Sequence, residues 1–362
     1  MVVVTFGEIM GRLTPDTTLR LRQALPGRLN VTFAGAEANV AASLASFGAD
    51  AVFVTALPKH ALAEACIASL KSWGIETRHI LRTERGRLGL YFLETGANQR
   101  PSQVTYDRDG ASIALTPGRD YPWAEIFNES DWFHVTGITP SISKNAADAA
   151  LTAVHEAKSA GLTVSCDLNF RKKLWRWDPS AAPRDLAEKT MRQILPKVDV
   201  VIANEEDAEK VLGIQAGDSD VSAGVLAIDR YPEVAGEIVA QFGNVSRVGI
   251  TLRESISASH NRWGGMLYDA AGKKAFFAPL RGGVYEPYQI THIVDRVGGG
   301  DSFAAGLIYA MMTPELSDPQ TAVSYAAAAS CLAHSIIGDF NMSSRVEVEA
   351  LMRGSASGRV VR

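Results

Sequence analysis

The most informative stretch of this chain reads Asp295-Arg296-Val297-Gly298-Gly299-Gly300-Asp301-Ser302-Phe303. Three consecutive glycines precede a segment, 301–312, whose periodicity predicts a helix. Glycine lets the backbone turn so that several N–H groups point into one concavity, and a helix N-terminus adds unpaired N–H groups and a positive dipole end. The stretch therefore predicts an anion hole that suits a phosphoryl group with developing negative charge.

Asp301 begins the predicted helix, directly beside the glycines. A carboxylate at this place can accept the proton of a substrate hydroxyl that lies next to the anion hole, and phosphoryl transfer needs such a group. The alternative is that an acidic residue simply favours the positive end of a helix. The spacing fits neither a G-x-x-x-x-G-K-[ST] loop nor a G-x-G-x-x-G dinucleotide fingerprint, which argues against a dehydrogenase.

Composition excludes several other classes of protein. The chain has 362 residues, 46% of them hydrophobic, and a formal net charge of −4 without a long basic run, so we expect no nucleic-acid partner. No apolar run reaches 18 residues and the start lacks a signal-peptide pattern, so we expect no membrane segment and a cytoplasmic location. The three cysteines and seven histidines show no C-x-x-C or H-x-x-x-H spacing, which argues against a disulfide framework or a zinc site.

Strand-like and helix-like segments alternate along the chain. Short β-branched runs at 2–6, 51–56, 132–136, 163–166, 198–203 and 248–252 are separated by helical patterns, of which 36–47, 62–73, 144–160 and 205–212 are the clearest. Further helices are predicted at 300–312, 319–333 and 346–353, and a flexible tail from 354 to 362. The alternation predicts a single α/β domain, 1–362, with a parallel sheet covered on both faces.

Two stretches, about 8–33 and 87–112, interrupt this alternation. The second reads as strand, turn and strand, with the turn near residues 95–98. We expect both to form a small β-sheet at the edge of the main sheet, which could close over a ligand as a lid and exclude water. The alternative is a pair of surface hairpins.

The glycine-rich stretch resembles the C-terminal signature of the ribokinase, or PfkB-type, family of carbohydrate kinases, whose usual form is D-T-x-G-A-G-D-x-F. Arg296 and Gly299 stand where threonine and alanine are commoner. The resemblance implies a ribokinase-like three-layer sandwich with a mostly parallel central sheet and a β-sheet lid. It also implies that Asp301 is the catalytic base and that Gly298, Gly299 and Gly300 form the anion hole.

Residues 33–41 resemble the N-terminal signature of the same family, G-G-x-x-x-N-x-A, with Ala34 in place of the first glycine. The resemblance implies that Gly35 and Asn39 approach the sugar. A glycine before a helix lets the backbone come near a polyol, whereas the alternative is a plain strand-to-helix turn.

Residues 167–175 resemble the D-x-N-x-R-x-x-L-W pattern of 2-keto-3-deoxygluconate kinases. They follow a predicted strand, and active-site groups of open α/β sheets lie beyond the carboxyl ends of strands. Arg171 can therefore reach the cleft and hold a carboxylate bidentately. The resemblance implies an acid sugar, 2-keto-3-deoxygluconate, phosphorylated at its 6-hydroxyl, while the alternative is an exposed basic turn.

Two more stretches resemble the same subgroup. Tyr106-Asp107-Arg108 matches its Tyr-x-Arg pattern, which implies that Tyr106 and Arg108 touch the substrate, joined by Tyr91 from the opposing strand. Residues 134–140 imply that Ile138 lines the pocket. Surface packing and strand-end packing are the respective alternatives.

The family resemblance further implies ATP as phosphoryl donor and Mg²⁺ as cofactor. Asn204 and Asp207 stand where the family has N-x-x-E, and the shorter Asp207 could hold Mg²⁺ through water. The alternative is that Asn204 is a helix N-cap and Asp207 favours the first turn. The implied nucleotide contacts are Asn169, Asn204, Thr251, Arg253, Gly298, Gly300 and Asp339, of which Arg253 replaces a usual glycine.

Two rival functions fit the same fold. A kinase of a neutral sugar such as fructose is one, and Arg171 argues against it. A non-catalytic sugar-binding regulator is the other, and the intact stretch 298–301 argues against it. Because the lid of the family often contributes to a dimer contact, we also expect a homodimer or higher homo-oligomer that associates through the lid.

Overall fold

The computed structural model describes residues 1–204, 206–214 and 228–354. The strands are β1 (Val2–Phe6), β2 (Met10–Thr14), β3 (Asn30–Ala34), β4 (Asp50–Val54), β5 (Ala56–Pro58), β6 (Leu81–Thr83), β7 (Gly89–Glu94), β8 (Gln103–Asp107), β9 (Trp132–Thr136), β10 (Thr163–Asp167), β11 (Val200–Ala203), β12 (Arg247–Ser257), β13 (His260–Asp269), β14 (Lys274–Ala278), β15 (Leu280–Arg281), β16 (Val284–Tyr285) and β17 (Tyr288–Ile290). The α-helices are α1 (Leu21–Ala24), α2 (Ala36–Phe47), α3 (Ala61–Ser72), α4 (Ser112–Leu115), α5 (Trp123–Ile126), α6 (Ile138–Ile142), α7 (Lys144–Ser159), α8 (Pro183–Ile194), α9 (Asp207–Leu212), α10 (Tyr231–Gln241), α11 (Gly299–Met312), α12 (Pro319–Ala333) and α13 (Arg345–Met352).

The central layer is a nine-stranded sheet of order β14-β13-β12-β11-β10-β9-β1-β4, with β17 pairing with β13. All neighbours from β12 to β4 pair in parallel, whereas β13 pairs antiparallel with β12, β14 and β17. The structure thus confirms the predicted mostly parallel sheet. Because the carboxyl ends of the parallel strands meet at one edge, the loops that follow them converge there.

Helices cover both faces of this sheet, as the predicted three-layer fold requires. Along β1, Val4 and Phe6 pack into one hydrophobic core and Val3 packs into the other, as the two-residue period of a strand dictates. The second core contains the pair α11 and α12, where a Cβ at Gly306 would lie 2.9 Å from the Cα of Ala326. Close helix packing therefore accounts for the alanine-rich run of α12.

The lid is a separate four-stranded sheet of order β3-β2-β7-β8. Its strands β2 and β3 follow β1 directly, and β7 and β8 form an antiparallel pair. This sheet confirms that the fold carries a small β-lid beside the central sheet.

In the ranges that the structure describes, no helix is long and apolar enough to span a membrane. The predicted tail lies, from residue 355 onward, outside the described residues.

Candidate active site

A cavity of about 390 Å³ opens at the carboxyl ends of the parallel strands, under the lid. The cavity brings together every predicted site residue except Arg108. They are Gly35, Asn39, Tyr91, Tyr106, Ile138, Asn169, Arg171, Asn204, Asp207, Thr251, Arg253, Gly298, Gly299, Gly300, Asp301 and Asp339. Residues from both ends of the sequence therefore meet in one place, as a single site requires.

Asp301 lies in the first turn of α11, and its carboxylate is held from across the cavity. Asn39 donates a hydrogen bond of 2.6 Å from Nδ2 to Oδ2 of Asp301, while Asn39 Oδ1 accepts the backbone N–H of Gly35 at 3.2 Å. Burial raises the pKa of Asp301 to about 6, against the lowering effect of the Asn39 hydrogen bond. At neutral pH the carboxylate is therefore ionised and can accept a proton.

The glycine loop is shaped by its surroundings as well as by its own flexibility. Gly298 has a φ of 84°, and a Cβ there would lie 2.3 Å from the carbonyl oxygen of Asp339, so no other residue fits without a shift. A Cβ at Gly300 would meet no atom within 4 Å. The backbone beside Asp301 is therefore open to a ligand, as an anion hole needs.

Gly35 is also required by close packing. Its backbone is extended, and a Cβ would lie 1.9 Å from the carbonyl oxygen of Glu8, just before lid strand β2. The glycine thus lets the start of α2 lie against the base of the lid. This contact places Asn39, one turn further along α2, at the cavity wall.

The lid is joined to the glycine loop by a buried ionic network. Arg12 of β2, whose side chain is 3% exposed, forms salt bridges with both Asp295 and Asp339. The hydroxyl of Tyr91 on β7 lies 3.0 Å from both carboxylate oxygens of Asp339. Burial raises the pKa of Asp339, and the nearby Arg12 opposes that shift. Asp339 therefore lines the cavity while its carboxylate is engaged by the lid.

Arg108 is the remaining predicted site residue. It does not line the cavity; its side chain is buried and forms an ion pair with Glu8. Strand β8 ends at Asp107, so Arg108 no longer follows the alternation that places Tyr106 at the cavity. Its guanidinium carbon lies over the Tyr106 ring, 5.3 Å from the ring centre, in a cation–π contact that stabilises the ring.

Arg171 lies in the loop after β10, where the resemblance places it. In the described part of the chain its side chain donates one hydrogen bond, from Nη1 to the carbonyl oxygen of Phe170 at 3.3 Å, and forms no ion pair. Asn169, in the same loop, has a positive φ of 37°, and its backbone N–H donates to Asp167 at 3.1 Å. Ile138 begins α6 at the neighbouring strand end.

Asp167 lines the cavity, although the sequence motif 167–175 assigned it no role. Its pKa is raised well above the usual range by burial and by the nearby carboxylates of Asp207 and Asp301. These three acids face one cavity, with the charge of Arg171 acting in the opposite direction. The arrangement is one that a bound cation would stabilise.

Asn204 and Asp207 mainly hold the turn before α9. Asn204 Oδ1 accepts the backbone N–H of Asp207 at 3.0 Å, and Asp207 accepts the backbone N–H groups of Asn204 at 3.1 Å and Phe170 at 3.0 Å. Glu206, not Asn204, is the N-cap residue of α9, and Asn204 and Asp207 both line the cavity. No group of three His, Cys, Asp or Glu residues in the described part of the chain is placed to hold a metal directly. The donors present fit a Mg²⁺ ion bound through water and phosphate oxygens.

The sequence did not predict Trp263 and His334 as residues of the cavity wall. Trp263 of β13 and His334 at the end of α12 form an edge-to-face pair with ring centres 4.7 Å apart. Burial lowers the pKa of His334 to about 4, so its ring is neutral at physiological pH. Trp263 reaches the cavity because β13 pairs antiparallel with β12 in a long hairpin. The predicted strand 248–252 covers only part of β12 and gave no indication of β13.

The fold, the glycine loop and the held carboxylate of Asp301 define a carbohydrate kinase with an alcohol group as phosphoryl acceptor. The chain belongs to the pfkB family of carbohydrate kinases, whose pattern matches residues 2–232. It is 32% identical over 357 residues to a 2-dehydro-3-deoxygalactonokinase of Haloferax volcanii, which covers 98% of both chains. It is 24% identical over 305 residues, 84% of this chain and 81% of the other, to a 2-dehydro-3-deoxygluconokinase of Bacillus subtilis.

Solved structures agree with this assignment. The crystal structure of a 2-dehydro-3-deoxygluconokinase from Thermotoga maritima has a TM-score of 0.87 and 44% sequence identity, covering 98% of this chain and all of the other. A putative ribokinase II from E. coli, solved with ATP and Mg²⁺, has a TM-score of 0.73 at 20% identity over 97% of this chain and 99% of the other, and so shares the fold. The predicted family and the ribokinase-like fold are confirmed.

Proposed function

We propose that this protein transfers the γ-phosphoryl group of ATP to the 6-hydroxyl of 2-keto-3-deoxygluconate and releases 2-keto-3-deoxy-6-phosphogluconate. The observation that carries the proposal is that Arg171 and Asp301 line the same cavity. Arg171 forms no ion pair with a described residue, so its guanidinium can receive the carboxylate of an acid sugar. The names of the Thermotoga maritima and Bacillus subtilis relatives support the same substrate class.

In this proposal Asp301 is the general base. The sugar hydroxyl oxygen forms the new bond to phosphorus, the bond to the leaving ADP oxygen breaks, and the hydroxyl proton passes to Asp301. Asn39 holds the carboxylate in place through its 2.6 Å hydrogen bond. The backbone N–H groups at Gly298, Gly299 and Gly300 stabilise the charge on the transferring group.

The remaining residues would bind the two substrates. Gly35, Tyr91, Tyr106 and Ile138 would contact the sugar, while Thr251, Arg253, Asn169 and Asp339 would contact the nucleotide. Mg²⁺, when bound, neutralises phosphate charge, and Asn204 and Asp207 would hold it through water. Arg108 would act on the sugar through Tyr106, because its own guanidinium is paired with Glu8 and does not line the cavity.

A second candidate substrate is the C4 epimer, 2-keto-3-deoxygalactonate. The observation in its favour is the relative from Haloferax volcanii, a 2-dehydro-3-deoxygalactonokinase that matches this chain over 98% of its length. The two acids carry the same carboxylate and the same 6-hydroxyl, so the roles of Arg171 and Asp301 are unchanged between them. The epimers must therefore be compared directly.

Association through the lid is the proposed quaternary arrangement. On the edge strand β8 each residue from Gln103 to Asp107 is exposed, and Val31 on the opposite edge strand β3 is 57% exposed. Exposed strand edges can pair with a second copy, which would cover these apolar side chains.

A cytoplasmic location remains a prediction.

The test is an assay that couples ADP release to a spectroscopic signal, with Mg-ATP and a panel of five sugars. The panel contains 2-keto-3-deoxygluconate, 2-keto-3-deoxygalactonate, gluconate, fructose and ribose. We expect a kcat/KM for a keto-deoxy acid at least about tenfold above the neutral sugars, because a charge-assisted contact contributes about 1.5–3 kcal/mol. Turnover of the neutral sugars alone would contradict the proposal and indicate a neutral-sugar kinase. ATP binding without turnover of any sugar would indicate a non-catalytic sugar-binding regulator.

A further inference from the structure

Arg296 is a cationic side chain of the cavity wall to which the proposed mechanism gives no role. It lies two residues before Gly298 and lines the same cavity as Asp301. Its guanidinium donates to Asn261 Oδ1 at 3.2 Å and to Ser255 Oγ at 3.4 Å. Both acceptors are neutral, and within the described ranges Arg296 forms no ion pair.

The carboxylate of Asp295, the residue before Arg296, is paired with a different arginine. Asp295 forms a buried salt bridge with Arg12 and accepts the backbone N–H of Arg296 at 2.9 Å. The positive charge of Arg296 is therefore partly buried without a carboxylate beside it. Placing a charge in such surroundings is unfavourable unless an opposite charge joins it. The structure in this way points to an anionic ligand.

A second arginine strengthens the positive field at this wall. Arg253 of β12 lines the same cavity, and burial, together with the charge of Arg253, lowers the pKa of Arg296. The two cations reach the cavity from different elements, β12 and the glycine loop. Arg253 pairs across the hairpin with Trp263, and Asn261, which holds Arg296, lies two residues away on the same strand.

We propose that Arg296, with Arg253 beside it, binds the phosphate chain of the nucleoside triphosphate. The glycine N–H groups and the guanidinium groups would then hold one polyanion from two sides. Arginine suits this ligand, because its planar donors match phosphate oxygens bidentately. The inference rests on the proposed kinase function and deepens it, because it assigns a cavity residue, Arg296, to the nucleotide.

The test compares Arg296→Gln with Arg262→Gln. The first variant removes the charge but keeps a donor for Asn261. The second is the matched control, because Arg262 lies on β13 next to Asn261, pairs with Glu254 and does not line the cavity. For Arg296→Gln we expect the KM for ATP and the inhibition constant of inorganic tripolyphosphate to rise roughly 10- to 100-fold.

The KM for the acid sugar should stay within about threefold in both variants, and Arg296→Lys should restore part of the loss in ATP affinity. A rise in the KM for the sugar with an unchanged KM for ATP would overturn the proposal and assign Arg296 to the sugar carboxylate. Equal effects of the two substitutions would overturn it as well. Thermal melting of each variant shows whether the fold is retained.

Calorimetric titration with ATP separates this proposal from the kinase function. If the wild type binds ATP but phosphorylates no sugar, the function fails while a weaker affinity in Arg296→Gln still supports the phosphate site. If the wild type binds neither ATP nor tripolyphosphate, both proposals fail.

Discussion

Asn39 donates a 2.6 Å hydrogen bond to Asp301, although 262 residues separate the two in sequence. The first residue lies on α2 and the second in the first turn of α11. The contact joins the two family signatures and holds a buried carboxylate whose pKa is raised to about 6. The position and the protonation state of the proposed base thus depend on a residue from the other end of the chain.

The pH dependence of kcat should depend on the hydrogen bond between Asn39 and Asp301. Since Asp301 must be ionised to accept a proton, the kcat of the wild type should fall as the pH drops through about 6. Asn39 stabilises the ionised form, so Asn39→Ala should raise the pKa and move the acidic limb of the profile to higher pH. The control is Ser46→Ala, on the same helix but outside the cavity. An acidic limb that stays in place in Asn39→Ala would contradict this assignment.

Arg171→Gln should weaken binding of the acid sugar in particular. We expect its KM for the keto-deoxy acid to rise about 10- to 100-fold, because a charge-assisted hydrogen bond to the carboxylate is lost. The KM for ATP should change little. Lys172→Gln is the matched control, since Lys172 is adjacent and exposed but does not line the cavity. If both variants keep the wild-type KM for the sugar, Arg171 does not hold the carboxylate.

Arg12→Met should destabilise the fold. It leaves the carboxylates of Asp295 and Asp339 buried without their cation, and removing one partner of a buried ion pair costs about 3–5 kcal/mol. Urea unfolding measures this free energy. Arg87→Met serves as control on the neighbouring exposed pair with Asp107, where we expect little change. A small effect of Arg12→Met would show that the lid is held by other contacts.

Two alanine substitutions in the glycine loop should differ in their effects on stability. Gly298→Ala places a Cβ 2.3 Å from the carbonyl oxygen of Asp339 at a positive φ, so we expect a lower melting temperature and lost activity. The Cβ that Gly300→Ala adds meets no protein atom within 4 Å, and the residue lies in α11. The free energy of unfolding should therefore stay unchanged or rise by about 0.5–1 kcal/mol. Its methyl group would nevertheless lie where the phosphoryl group is proposed to bind, and kcat should fall. Unchanged kcat in Gly300→Ala would argue against the anion hole.

The sequence predicted those parts of the molecule that local pattern determines. Helices α2 and α12 have the predicted bounds because their periodicity is uninterrupted and glycine or proline marks their starts. The network around Arg12 was not predictable in the same way, because its partners lie 283 and 327 residues further along the chain. The pairing of Arg108 with Glu8 was missed for the same reason, since no local signal connects residues 100 positions apart.

The central claim is that Asp301 is the general base of a sugar kinase, and Asp301→Asn tests it most directly. The substituted side chain keeps the size of the original and can still accept the hydrogen bond from Asn39. We predict that kcat falls roughly 10²- to 10⁴-fold, while ATP and the keto-deoxy acid bind with affinities within a few-fold of the wild type. A variant that keeps kcat within about threefold of the wild type would contradict the account.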